Sequence, residues 1–399
     1  PTDTPFFFFA AEPAAEAPLS AEGIEQQPPA DLSEVVDTLN ENNLVLENSA
    51  GEVIPLSSEE AVEALTEPDP WFISGTVKYR FVGGACPPPD PAPAATETCF
   101  AFQANPIQAS INYIQANGTL PSGGAIYVDT GTFTGAVTID GTLANLSSIK
   151  ALIGKGSTIT APNYSEITNL VTISNLSGGF RMEGFAVNAS NAGALVTFDN
   201  IGGKLVLKDL NVRNSGAGGG IRVINSKASV EVQNVESSNN GSVGLYVDNT
   251  AGTGNVSIVS SDFSNNSSTG LQVFTKGAVT LNGVSARFNL GDGALLQSQK
   301  GVTVRSSVFN NNSSVAANGY GLQLGEMNRG NVVMDWVYAN SNEEFGLFIR
   351  TLAGSVTLSN IQASFNNKTN LYINNCFDGG GICTAPAAPV NLSNASLTY

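Results

Sequence analysis

The chain contains no histidine. Chemistry that depends on an imidazole base or ligand is therefore excluded. Lysine and arginine are scarce, 17 against 34 acids, for a net charge of −17. That argues against a nucleic-acid partner, whose phosphates need basic side chains. No apolar run reaches the roughly 18 residues of a membrane helix, so no membrane span is expected. Charged residues of all kinds make up only 13%. What remains is a Ser/Thr/Asn/Gly-rich, β-forming composition and not that of a helical enzyme. Cysteines number four and lie in two close pairs, Cys86 with Cys99 and Cys376 with Cys383, in Pro/Gly/Ala-rich loops. Four cysteines allow three connectivities. Local pairing is expected, because each intervening loop can close on itself. A zinc site would need all four sulfurs together, which the spacing does not suggest, and no cofactor is expected. Two disulfides imply an oxidising compartment. A first residue of Pro1 in place of Met fits removal of a secretory leader. The expected location is secreted, extracellular or at the cell surface.

Against these absences stands a repeat. A small residue, an apolar one, any residue and an apolar one recur seven times, anchored at Gly220, Gly244, Gly270, Gly293, Gly321, Gly346 and Asn370. The spacings are 24, 26, 23, 28, 25 and 24 residues. A period in that range marks a solenoid. Each anchor opens a strand triplet, from Ile221-Arg222-Val223 to Leu371-Tyr372-Ile373. A second triplet follows about ten residues later, from Val230-Glu231-Val232 to Val390-Asn391-Leu392. The outer residues of each triplet point inward and the middle one outward. Asn-rich corners follow each coil: Asn239-Asn240, Asn265-Asn266, Asn289, Asn310 to Asn312, Asn342 and Asn366-Asn367. Asparagine tolerates left-handed backbone, and stacked amides can bond the coils above and below. Several corners also spell N-x-Ser/Thr, at Asn240, Asn255, Asn266, Asn312 and Asn367, matches that arise by chance in so Asn-, Ser- and Thr-rich a chain. About eleven coils at about 4.8 Å each predict a rod of about 50 Å.

The charge is unevenly placed. Residues 1–77 hold 16 acids and no base, whereas the rest is nearly neutral. The segment 1–30 reads as an extended acidic tail with four consecutive aromatics, Phe6, Phe7, Phe8 and Phe9. Residues 31–75 read as a small α+β domain: a helix in DLSEVVDTLN, a strand-turn-strand around Ser49-Ala50-Gly51, and a second helix in SSEEAVEAL. Residues 76–105 read as a strand, TVKYRFV, and a Pro-rich linker bearing the first cysteine pair.

The stretch PIQASINYIQANG, followed by GAIYVDTGTFTGAVTID, carries a family likeness. Ile107, Ile111 and Ile114 mark an amphipathic helix, and IYV and AVTI two strands separated by a GTF turn. This resembles the N-terminal entry of the pectin-lyase-like right-handed parallel β-helix superfamily, in which a helix closes the open end of the solenoid. The resemblance covers residues 106–399. It implies a mainly β fold, a right-handed parallel β-helix behind the α+β domain and tail. It implies little about function, because the superfamily holds lyases, hydrolases, adhesins and structural proteins.

A catalytic constellation is not found on the stripes where it was sought. The outward positions of the first triplet read Arg222, Tyr246, Gln272, Leu295, Gln323, Phe348 and Tyr372; two residues on, they read Ile224, Asp248, Phe274, Gln297, Gly325, Arg350 and Asn374. Asp248 stands alone, so the paired carboxylates of a glycosidase are missing there, and no enzyme activity is expected. Tyr246, Phe274, Phe348 and Tyr372 form an aromatic stripe for a glycan or a partner. The leading expectation is a structural subunit that assembles with itself into an extracellular filament or surface layer. Its contacts would be Phe6 to Phe9 and the uncapped end at Leu392, Leu397 and Tyr399, an open β-edge. The alternative is a carbohydrate-binding or polysaccharide-cleaving surface module with a surface polysaccharide as partner, or an adhesin stalk.

Overall fold

The computed structural model describes residues 105–117, 124–128, 132–160, 169–189, 193–313, 315–316, 318–325, 328–352, 354–375 and 389–398, together with short strands at 46–47, 53–54 and 79–81. The chain divides into two units, Pro1–Asn48 with Val53–Phe72, and Ser49–Glu52 with Ile73–Tyr399. In the first, Leu46–Glu47 pairs antiparallel with Val53–Ile54, the hairpin expected around Ser49-Ala50-Gly51. The two helices expected within 31–75, Phe6 to Phe9, the four cysteines and Tyr399 lie outside the described residues.

The second unit is a parallel β-solenoid. One sheet has ten strands, from Val137–Asp140 to Thr369–Asn374, all in parallel register. Its facing sheet has a path of twelve strands, from Tyr79–Phe81 to Val390–Ser396, with Thr132–Thr134 paired to its side. Among the described residues the solenoid makes about 9 turns, fewer than the eleven or so expected. Both triplet series stack in register: Ile221, Leu245, Leu271, Ala294, Leu322, Leu347 and Leu371 in the first sheet, and Val230, Val256, Val279, Val302, Val332, Val356 and Val390 in the second. The inward members are almost all fully buried and form one continuous core. Burial of each such side chain stabilises the rod by about 1.5–3 kcal/mol.

The helix Pro106–Asn117 forms as the isoleucine spacing predicts. Pro106 suits the first helical position, and the Asn105 carboxamide oxygen caps the Gln108 N–H at 3.1 Å. Ile107, Ile111 and Ile114 are buried against the first coil. One sequence expectation needs correction nearby. The GTF segment is not a turn: Thr132–Thr134 is a strand paired with Thr158 to Thr160, because Phe133 turns inward and is buried in register with Ile159. The strand expected in TVKYRFV is present as Tyr79–Phe81, which pairs in parallel with Ile126 to Val128 at the margin of the second sheet.

The Asn corners are an internal ladder. Each amide oxygen accepts from the backbone N–H, and usually the Nδ2, of the coil before it: Asn266 to Asn289 at 2.9 and 3.2 Å, Asn289 to Asn312 at 3.1 and 3.0 Å, Asn312 to Asn342 at 3.0 Å twice, and Asn342 to Asn366 at 2.9 Å twice. Such buried amides are held only because their bonds are made. The Gly anchors line this ladder. A Cβ on Gly270 would sit 2.4 Å from the Phe263 carbonyl oxygen and 2.7 Å from Asn289 Nδ2, so no larger residue fits. Asn240, Asn266 and Asn312 are therefore structural amides inside the rod and not accessible glycan acceptors. At the seventh anchor the pattern changes. The Asn370 side chain accepts from Asn366 at 2.9 Å and donates to the Thr398 carbonyl at 3.2 Å. It supplies the last rung from within the same coil.

Candidate functional site

In nine successive coils the second sheet bends four residues after the first inward apolar residue of its triplet. The bend residues stack as Gly184, Asp209, Asn234, Ser260, Gly283, Ser306, Trp336, Asn360 and Asn394. All nine have φ between 47° and 75°. Left-handed backbone at each rung turns the strand through an angle, and the outside of that angle is a trough. One cavity along it is about 650 Å³ and is lined by Asp209, Asn211, Asn234, Glu236, Asp262 and Ser285 among others. A second, about 440 Å³, shares Asp209 and Asn211 and reaches Glu183 and Gly184.

The trough is rich in acceptors. Asn211, Glu236, Asp262 and Ser285 occupy one outward column on successive coils. Glu236 accepts from Asn211 Nδ2 at 2.8 Å and from the Ser238 hydroxyl at 2.6 Å. Asp262 accepts from the Ser264 hydroxyl, and Asp209 from Asn234 Nδ2 at 2.6 Å. Because Asn211 turns its amino group to Glu236, its Oδ1 faces the other way, and this buried oxygen has no hydrogen-bond donor. Glu183 is neutralised by Arg181 and by Lys208 at 3.2 Å. No such ion pair engages Glu236 or Asp262 among the described residues, and neither cavity is lined by a lysine or arginine. Among the described residues no three acids gather as a metal site.

The sequence search missed this column because it followed the outward stripes of the first sheet. The signal was present. Asn211, Glu236, Asp262 and Ser285 each stand six residues after the first inward apolar residue of the second triplet, namely Leu205, Val230, Val256 and Val279.

The aromatic stripe of the first sheet divides in two. Tyr246 and Phe274 meet at 5.8 Å between ring centres, tilted by 54°. Phe348 and Tyr372 stack at 4.7 Å and 10°, and Tyr320 stacks on the other face of this group at 5.1 Å and 17° from Phe348. Phe345 meets Tyr320, Phe348 and Tyr372 edge-on, and the Arg350 guanidinium lies 4.6 Å from the Phe348 centre. Phe348 is only 6% exposed. These rings turn their faces to one another along the rod, which leaves edges outward. Tyr320 and Phe345, absent from the stripe as read in sequence, precede the anchors Gly321 and Gly346 and complete the group. In the column of Tyr320, the buried Asp292 accepts the Tyr320 N–H at 2.9 Å. Burial pushes its carboxyl up to about 6, against bonds from the backbone of Tyr320 and Gly319 and the Asn318 side chain that pull it down.

Of the expected assembly contacts, Leu392 and Leu397 fall on and beside the edge strand Val390–Ser396. Val390 is 46% and Leu392 49% exposed, while their register partners Val356 and Leu358 are buried.

Comparison with known proteins identifies the architecture. Residues 183–363 match the family model described as a right handed beta helix region. A solved pectate lyase is similar, at 19% identity over 80% of this chain and 78% of that one, with a TM-score of 0.40. So is the catalytic unit of a thermostable α-1,3-glucanase from Streptomyces thermodiastaticus, at 12% identity over 74% and 67% of the two chains, with a TM-score of 0.43. A further α-1,3-glucanase catalytic domain, solved with tetrasaccharides, is 12% identical over 83% and 70%, with a TM-score of 0.33. No curated protein matches. Residues 183–363 thus carry a right-handed β-helix, and the described strands on either side continue the same parallel sheets.

Proposed function

We propose that the chain binds a neutral polysaccharide along the bend trough of its second sheet. The supporting observation is the donor–acceptor imbalance of the trough. Glu236 and Asp262 offer lone pairs on successive coils, Asp209 adds a carboxylate that Lys208 approaches at 3.7 Å, and no lysine or arginine lines the cavities. Ionised carboxylates accept hydrogen bonds and donate none, so the trough suits a ligand that brings many O–H donors and no negative charge. A neutral polyhydroxyl chain has that chemistry. An acidic polysaccharide would place its carboxylates against Glu236 and Asp262. The rod form suits the same ligand, because a polymer can lie across several equivalent rungs.

This reading replaces self-assembly as the leading one. Of the assembly contacts, Phe6 to Phe9 and Tyr399 lie outside the described residues and only Leu392 and Leu397 are in place, whereas every side chain named for the trough is in place. Affinity electrophoresis through gels containing a neutral glucan, a neutral mannan or polygalacturonate tests it. Retardation by a neutral polymer is expected, with none by polygalacturonate, and Glu236→Gln with Asp262→Asn should weaken the retardation several-fold. Retardation by polygalacturonate alone would overturn the assignment.

A further inference from the structure

We infer that Trp336 is a stacking platform for a pyranose ring at the far end of this trough, an inference that rests on the polysaccharide reading. Eight of the nine bend positions hold glycine, asparagine, aspartate or serine. These are residues that left-handed backbone accepts because they lack bulk or bond locally. The ninth holds tryptophan at φ 54°. A large side chain in this conformation is an outlier that the surrounding fold must enforce. Packing does not explain it, since Trp336 is 53% exposed and meets no other ring among the described residues.

Its place in the column supplies the reason. Gly283 lines the main cavity, and Ser306 and then Trp336 follow on the next two coils. The intervening Ser306 is small and exposed. From Asp209 to Trp336 the column climbs five rungs, about 24 Å at about 4.8 Å per rung. A trisaccharide seated at Asp209 and Glu236 falls short of that span, whereas a hexasaccharide reaches it. Pyranose rings present an apolar C–H face as well as hydroxyls, and an exposed indole offers the matching surface. The acceptors of the trough would hold hydroxyls, and Trp336 would hold a ring face. Phe288 and Phe365 break the same rule at the opposite corner, with φ of 57° and 56° and exposures of 51% and 67%. Neither lines the trough, so they are not part of this site.

The chain has two tryptophans, so Trp71→Phe leaves Trp336 as the sole indole reporter. Neutral tri- and hexasaccharides of glucose and of mannose would be titrated into this protein and followed by fluorescence and calorimetry. The expected result is a spectral shift with the hexasaccharide, not with the trisaccharide. Trp336→Asn keeps a residue suited to the bend and should weaken hexasaccharide binding about 10-fold or more while leaving trisaccharide binding unchanged. Trp336→Phe should restore part of the loss. Equal hexasaccharide affinity in wild type and Trp336→Asn overturns the platform and leaves the trough reading standing. Absence of any neutral-sugar binding by the wild type overturns both. A spectral shift with neither sugar, but with a second protein, would reassign the exposed indole to a protein contact and overturn the inference.

Discussion

Each coil turns at two kinds of corner, and they impose opposite rules on sequence. At the inner corner, Asn266, Asn289, Asn312, Asn342 and Asn366 are buried and bonded rung to rung. There the side chain is part of the fold's hydrogen-bond inventory. At the outer bend, the one shared requirement is positive φ: Gly, Asp, Asn, Ser and Trp all occupy it, and only some rungs are bonded through side chains, as Asn234 to Asp209 and Asn394 to Asn360. The difference teaches where function has room. A corner specified by side-chain bonds cannot vary, whereas a corner specified by backbone alone leaves its side chains free to meet a ligand.

The sharpest way to break this contrast is at the ladder. Asn289→Leu deprives the buried Asn266 N–H of its acceptor and Asn312 Oδ1 of one of its donors. Leaving such groups unpaired should lower stability by about 2–4 kcal/mol, read as a lower urea midpoint. If the loss is within error of zero, the ladder is not what holds this corner.

A slightly smaller effect is expected from Asp292, the ionisable group that follows Asn289 on the same side of the coil. Its folded carboxyl is held up to about 6 by burial, above the ordinary unfolded range. The native state therefore keeps its proton more tightly than the unfolded chain does. The stabilisation is full below about pH 4 and is lost as pH rises through about 6. The loss should approach about 2–3 kcal/mol, and unfolding curves of Asp292→Asn should lack it relative to wild type. A parallel pH dependence in both proteins would refute the assignment.

The smallest effect sharpens the contrast from the other side. Trp336→Asn places a left-handed-tolerant residue at the outer bend and should raise stability by about 0.5–1 kcal/mol, seen as a higher urea midpoint at unchanged slope. A ladder substitution and a bend substitution then move stability in opposite directions, although each replaces one residue at one corner.

What the sequence disclosed follows the same division. The two triplet series, the helix at Ile107, Ile111 and Ile114 and the Asn corners were legible, because burial and buried hydrogen bonds tie residue type to position at a fixed period. The trough was not. Its acids, Glu236 and Asp262, lie on a solvent-facing column of the second sheet where no apolar pattern draws attention. Only counting six residues from Val230 and Val256 aligns them. Trp336 needed the φ value itself, since nothing in its neighbours Asp335 and Val337 announces a left-handed turn. The aromatic stripe was half legible: Phe348 and Tyr372 do stack, but Tyr320 and Phe345 join from outside the triplets.

Asn370 occupies a slot in the glycine column and spends its own amide on the place where another coil's asparagine would sit. The position acts as punctuation. A duplicated coil spliced in between Asn240 and Asn366 would find glycine and asparagine partners on both sides and lengthen the protein without further change. One spliced in after it would collide with that carboxamide, unless the same position reverted to glycine and the newcomer brought an asparagine. Growth in evolution, or by engineering, is thereby steered to the interior of the rod.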